Sequence, residues 1–86
     1  MTFEGALVSE QGITFAVVVI KPHIVQSHFE ATQAIRSFQP AFPGVPVVLM
    51  GQDYRGTATY FGRRDIADFL AGVPIESIPW KRFSIG

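Results

Sequence analysis

Two stretches of the chain are apolar at nearly every position, and they predict the centre of a β-sheet. They span Ile13–Ile20 (ITFAVVVI) and residues 45–50 (VPVVLM). A strand with apolar residues on both faces is buried on both sides, so we expect both stretches to lie inside the sheet. Residues 3–8 predict a further strand, which a turn at Gln11 and Gly12 joins to the first central strand as an antiparallel hairpin.

The segment after the first central strand has the pattern of an amphipathic helix. Lys21 and Pro22 end the strand, because proline cannot donate to a β-ladder. Ser27, with Glu30 three residues later, forms a capping box at the start of the helix, and Pro40 ends it. The apolar residues in between recur at helical spacing: Ala31, Ala34, Ile35 and Phe38.

A second hairpin is predicted after residues 45–50. Asp53 and Gly56 stand at the first and fourth positions of a type I turn, where aspartate and glycine are favoured. The alternating residues 57–61 then form the partner strand.

A helix and a short strand complete the predicted elements. The helix spans about residues 63–71, with Gly62 as its N-cap and Gly72 at its end. Residues 80–85 predict a short last strand at an edge of the sheet.

The order of elements is therefore ββαββα, followed by a short strand. The crossover between the two central strands takes about twenty residues, which is typical of a right-handed connection between parallel strands. We expect a single α+β domain over residues 1–86, with a mixed sheet of four or five strands and two helices packed on it.

The composition indicates that apolar surface is left exposed. Of the 86 residues, 48% are hydrophobic and only 16% are charged, against about 25% charged in typical domains. Large exposed apolar patches usually mark contacts. We therefore expect a homo-oligomer or a protein-binding module, with Phe3, Trp80 and Phe83 on the interaction surface.

Charge and cysteine content argue against several function classes. A formal net charge of zero disfavours bulk attachment to nucleic acid or an anionic membrane. Without cysteine, the chain has no disulfide, thiolate metal site or thiol chemistry. Small secreted domains usually need disulfides, and the first residues do not resemble a signal peptide, so we expect a cytoplasmic protein. The longest apolar run, residues 15–20, is far shorter than a membrane span.

The stretch from Gly44 to Leu70 resembles the C-terminal half of the thioredoxin fold. A proline, Pro46, opens an apolar strand, and a hairpin, Tyr60-Phe61-Gly62 and a short helix follow. Residues 16–71 would cover the βαββα part of that fold, in which the proline is cis. The unit with the Cys-x-x-Cys motif is absent, so the resemblance implies shared architecture without redox activity. The chain also resembles short bacterial proteins of unassigned function, which implies no activity.

The helix start at Gly62-Arg63-Arg64-Asp65 is the strongest candidate for ligand binding. Free N–H groups and two arginines are typical of a phosphate or carboxylate site. Asp65 in the same turn can satisfy those N–H groups itself. Arg55 and Tyr60, around the second hairpin, are further candidates for ligand binding.

Two other groups of residues have a structural interpretation beside the functional one. Trp80-Lys81-Arg82-Phe83 interleaves aromatic and basic residues, as in single-strand nucleic-acid binding, but we favour an edge strand whose cations discourage pairing. His23 and His28 are five residues apart and have no third ligand, so we expect surface histidines and no metal site.

The sequence favours a non-enzymatic protein-interaction module that associates with itself or with another protein. No serine lies in a nucleophile elbow and no base has an orienting partner, so we expect neither an enzyme nor a cofactor. The alternative is a protein that binds a small anionic ligand or nucleic acid through Arg63 and Arg64.

Overall fold

Five strands and three helices form along the chain in a computed structural model, which describes residues 1–10 and 12–85. The strands are β1 (Thr2–Glu10), β2 (Ile13–Ile20), β3 (Val47–Gln52), β4 (Ala58–Phe61) and β5 (Lys81–Ser84). The helices are α1 (Pro22–Val25), α2 (His28–Phe38) and α3 (Arg64–Ala71), with single 3-10 turns at Gln39–Ala41 and Ile75–Ser77.

The strands form one mixed sheet in the order β4-β3-β2-β1-β5. β2 and β3 pair in parallel, while β1–β2, β3–β4 and β1–β5 pair antiparallel. This arrangement confirms the α+β prediction, the central position of the two apolar stretches and the edge position of the last strand.

The helices cover opposite faces of the sheet, because both faces of β2 and β3 are apolar. α1 and α2 lie on the face that carries Val18 and Leu49. α3 lies on the other face, where Ile66 and Leu70 pack on Val48. Burying each of these side chains contributes about 1.5–3 kcal/mol, so the stability of the domain depends on both layers.

The local signals at the turns are present in the structure. Of the predicted capping box, the described residues show the Ser27 half, in which the N–H of Glu30 donates to Oγ of Ser27 at 3.3 Å and caps α2. At the β3–β4 hairpin, the N–H of Gly56 donates to the carbonyl of Asp53 at 3.0 Å, as a type I turn requires. In the β1–β2 turn, Gly12 has a φ of 80°, whereas Gln11 lies outside the described residues.

One predicted boundary is confirmed and another is wrong. β2 ends at Ile20, directly before Lys21 and Pro22, as predicted, and Pro22 is also the first residue of α1, where its missing N–H costs nothing. The N-cap of α3 is Arg63 and not Gly62. Gly62 instead lies against β3, where a Cβ atom would be 2.9 Å from Cγ2 of Val48.

The peptide bond before Pro46 is trans. Within the described part of the chain, no helix is long and apolar enough to span a membrane.

Candidate functional site

The two arginines at the start of α3 have different surroundings. Nε and a terminal guanidinium nitrogen of Arg63 donate to the two carboxylate oxygens of Asp65, each at 2.9 Å. This hydrogen-bonded pair lowers the pKa of Asp65 and raises the pKa of Arg63. Among residues 1–10 and 12–85, Arg64 has no ion pair. Of the two arginines in the predicted anion site, Arg63 thus already binds a carboxylate of the same chain, that of Asp65.

Arg55 and Tyr60 do not share a site in this structure. Nε of Arg55 donates to the hydroxyl of Tyr54 at 3.2 Å, and its guanidinium carbon is 5.5 Å from the centre of that ring. Tyr54 is 91% exposed. The hairpin tip is therefore a solvated Tyr54–Arg55 pair.

Tyr60 points into the apolar layer under α3 instead. The hydroxyl of Tyr60 is buried, and no hydrogen-bond partner for it lies among the described residues. Burial raises the pKa of Tyr60, because the phenolate would lose its hydration.

The three aromatic residues expected on the interaction surface pack within the domain. Phe3 is 8% exposed, with its ring centroid 4.8 Å from that of Phe38 and 5.6 Å from that of Phe83. Nε1 of Trp80 donates to the carbonyl of Ile75 at 3.0 Å, and its ring packs on the core under α3. Phe3 thus offers little surface to a partner, because β5 and α2 cover it.

A shallow cleft of about 90 Å³ lies between the β1–β2 turn and α3. Phe15 forms its apolar wall together with Phe69, with ring centroids 6.4 Å apart. Glu10 and Asp65 stand at its rim. Ligand pockets usually measure about 300–1,000 Å³, so this cleft holds at most one small side chain or ion.

The histidines do not form a metal site with other residues. In the described ranges, His, Asp and Glu side chains nowhere gather in threes. His23 lies in α1, whereas His28 begins α2 and packs edge-on against Phe61 at 5.3 Å between ring centroids.

The two edges of the sheet differ in charge. At one edge, β5 carries Lys81 and Arg82, both exposed. At the other edge, β4 has the sequence Ala-Thr-Tyr-Phe, without a charge. Exposed edge strands are commonly protected by lysine, proline or a covering loop. The β5 edge has such protection and the β4 edge has no charge or proline.

The sequence pattern does not by itself identify β4 as an open edge. A signal existed, because residues 57–61 follow an internal strand as its hairpin partner. Because the last strand, β5, pairs with β1, no strand covers the outer edge of β4 among the described residues. No local pattern indicates which edge of the sheet the last strand joins.

The chain matches no family model, no curated protein and no solved structure.

Proposed function

We propose that this protein is a non-enzymatic interaction module that associates with a second copy of itself through the β4 edge. The observation that carries the proposal is the contrast between the uncharged β4 edge and the β5 edge with Lys81 and Arg82. An exposed strand edge presents unpaired N–H and C=O groups, which a further strand can satisfy.

The surroundings of β4 support association. Thr59 is exposed at the middle of the strand. The chain has a formal net charge of zero, so two copies do not repel each other as a whole. Pairing of uncharged strands and burial of apolar side chains persist at high salt, unlike the binding of phosphate groups.

Catalysis has less support from the described residues. The cleft of about 90 Å³ is small for a substrate. The pKa of Asp65 at its rim is lowered, and the hydrogen bonds from Arg63 account for that shift without a catalytic role. The absence of cysteine from the sequence supports a cytoplasmic setting as part of this proposal.

The test is the oligomeric state of the protein and of two lysine variants, measured by native mass spectrometry and light scattering. Thr59→Lys places a charge in the middle of the β4 edge. Ser84→Lys is the matched control, because Ser84 is an exposed residue of the other edge strand. We expect the wild type and Ser84→Lys to be dimers at about 100 μM. The dissociation constant of the Thr59→Lys dimer should be higher by a factor of about ten or more, which corresponds to about 1.4 kcal/mol.

Far-ultraviolet circular dichroism of both variants checks that the exposed substitutions leave the fold intact. A wild type that stays monomeric at this concentration contradicts the proposal. Equal weakening by both lysines also contradicts it, because the interface would then not be the β4 edge.

A further inference from the structure

We infer that the second copy pairs antiparallel with β4 around a two-fold axis at Thr59, so that two five-stranded sheets become one continuous sheet. This inference rests on the proposed self-association. It adds the register of the contact, which the backbone of the hairpin determines.

The hydrogen bonds of the β3–β4 hairpin determine which residues of β4 face outward. The N–H of Asp53 donates to the carbonyl of Thr57 at 3.0 Å. Hydrogen-bonded and non-hydrogen-bonded pairs alternate along an antiparallel ladder. In the observed register, Thr59 is therefore bonded to Gly51 and Phe61 to Leu49.

The two remaining residues of β4, Ala58 and Tyr60, direct their N–H and C=O groups away from β3. In the described ranges, no turn or loop backbone hydrogen-bonds to either residue. β4 has no neighbouring strand on this side. The outer edge therefore presents two donors and two acceptors, separated by Thr59.

A two-fold axis at Thr59 satisfies all four groups at once. Ala58 of each copy then faces Tyr60 of the other, which gives two hydrogen-bonded pairs and four hydrogen bonds. Thr59 faces its own copy in a non-hydrogen-bonded pair, with Cα atoms about 4.5 Å apart. Threonine pairs across strands are favourable, and no charged residue of β4 faces another.

The neighbouring registers form fewer hydrogen bonds. An axis at Tyr60 would pair Ala58 with Gly62, which lies beyond the end of β4 at Phe61. An axis at Ala58 requires Gly56 as a strand residue, but Gly56 lies in the turn with a φ of 85°. The axis at Thr59 uses only residues that are already extended.

This pairing is closed, because the same patch serves both copies. The free edges of the resulting ten-stranded sheet are the two β5 strands. Lys81 and Arg82 at these edges discourage further addition. The charge difference between the edges therefore favours a dimer over a fibre.

The test uses single cysteines, which the natural chain lacks entirely. Disulfides form when Cα atoms lie about 4.4–6.8 Å apart, so Thr59→Cys should oxidise to a covalent dimer. Thr57→Cys is the matched control just before β4, because four residues at about 3.4 Å each would separate its two copies along the sheet, or about 14 Å. Ser84→Cys is the control for the other edge.

Each variant is oxidised with diamide at about 100 μM protein, the concentration at which the wild type is expected to be dimeric, and dimers are counted on non-reducing gels. Two thiols held together have an effective concentration of about 1 mM, so we expect Thr59→Cys to cross-link about 10-fold faster than either control. Circular dichroism checks that each variant is folded.

The outcomes separate the inference from the proposal on which it rests. Dimers that cross-link at residue 57 or 84 and not at residue 59 overturn the register and leave self-association intact. A dimeric wild type with slow oxidation at all three positions also overturns the register. A wild type that is monomeric overturns the proposed function as well.

Discussion

Val25 of α1 packs directly on the bare backbone of Gly51 in β3. A Cβ atom on Gly51 would lie 2.7 Å from Cγ2 of Val25 and 3.1 Å from Cα of Pro22. The first distance is shorter than side chains tolerate, so α1 approaches the sheet only where β3 has no side chain. Gly51 follows the four buried apolar residues of β3 at the place where α1 needs this room.

Replacing Gly51 by alanine should therefore destabilise the fold. We expect Gly51→Ala to lower the free energy of unfolding by about 1–3 kcal/mol, because the new methyl group overpacks α1. Gly72→Ala is the control, since its Cβ would lie at an ordinary 3.7 Å from the carbonyl oxygen of Phe69. It should change stability by no more than about 1 kcal/mol. Urea unfolding measures both, and equal effects would contradict the close-packing explanation.

The buried hydroxyl of Tyr60 should be dispensable for stability. A polar group without a partner costs free energy when it is buried, so Tyr60→Phe should raise the free energy of unfolding by about 1 kcal/mol. Tyr54→Phe removes the hydroxyl of a tyrosine that is 91% exposed, and it should be nearly neutral. Thermal unfolding compares the two. Destabilisation by Tyr60→Phe would reveal a hydrogen bond to this hydroxyl.

The same residue predicts a loss of stability at alkaline pH. The pKa of Tyr60 in the fold is raised above its ordinary value of 10.0, whereas the unfolded chain titrates near that value. The unfolded state thus loses its proton first, and stability falls as the pH rises above 10 through the raised pKa. In Tyr54→Phe, the absorbance of the single remaining tyrosinate should appear above pH 10 and coincide with unfolding. Ionisation at pH 10 without unfolding would contradict burial.

Ser27 should contribute to stability as the N-cap of α2. Ser27→Ala removes the oxygen that accepts from Glu30, and we expect a loss of about 1 kcal/mol. Ser37→Ala is the matched control within the same helix, where the serine only donates to the carbonyl of Gln33. Because alanine is the better helix former, Ser37→Ala should be neutral or slightly stabilising. Chemical unfolding distinguishes the two, and an equal loss in both variants would contradict a specific cap.

Asp53 should hold the β3–β4 hairpin in shape. Its Oδ1 accepts from the N–H groups of Arg55 and Thr57, each at 2.9 Å. Asp53→Ala removes both bonds and should cost about 1–2 kcal/mol, while Asp53→Asn keeps an oxygen at the same place and should cost less. If the asparagine variant is as unstable as the alanine variant, the charge of Asp53 is more important than its geometry. The same variants should weaken self-association, because β4 begins at this turn.

Local and short-range patterns were sufficient to predict most of the sheet. The nearly continuous apolar character of Ile13–Ile20 reflects burial on both faces, and it correctly indicated a central strand. The length of the crossover correctly indicated the parallel pairing of β2 with β3. Ser27 and Asp53 act within a few residues of their partners, so their roles were readable from spacing alone.

Properties that depend on distant pairing were not readable in the same way. Phe3 is buried because residues 81–84 return to β1, a pairing between opposite ends of the sequence that no local signal specifies. The edge at β4 is open for the same reason, because β5 pairs with β1 at the opposite edge of the sheet. The buried hydroxyl of Tyr60 depends on how α3 crosses the sheet, which its apolar spacing does not determine.

The place of β5 beside β1 has a consequence during synthesis. Gly5 pairs with Lys81, so the outer side of β1 remains without its partner until residue 81 has been made. At about 5–20 residues per second, that wait lasts several seconds. β1 and β2 can meet early, but the nascent sheet has two unprotected sides until the basic last strand arrives. The pairing of β5 with β1 therefore converts a sheet that can be extended from either side into one with a single open side.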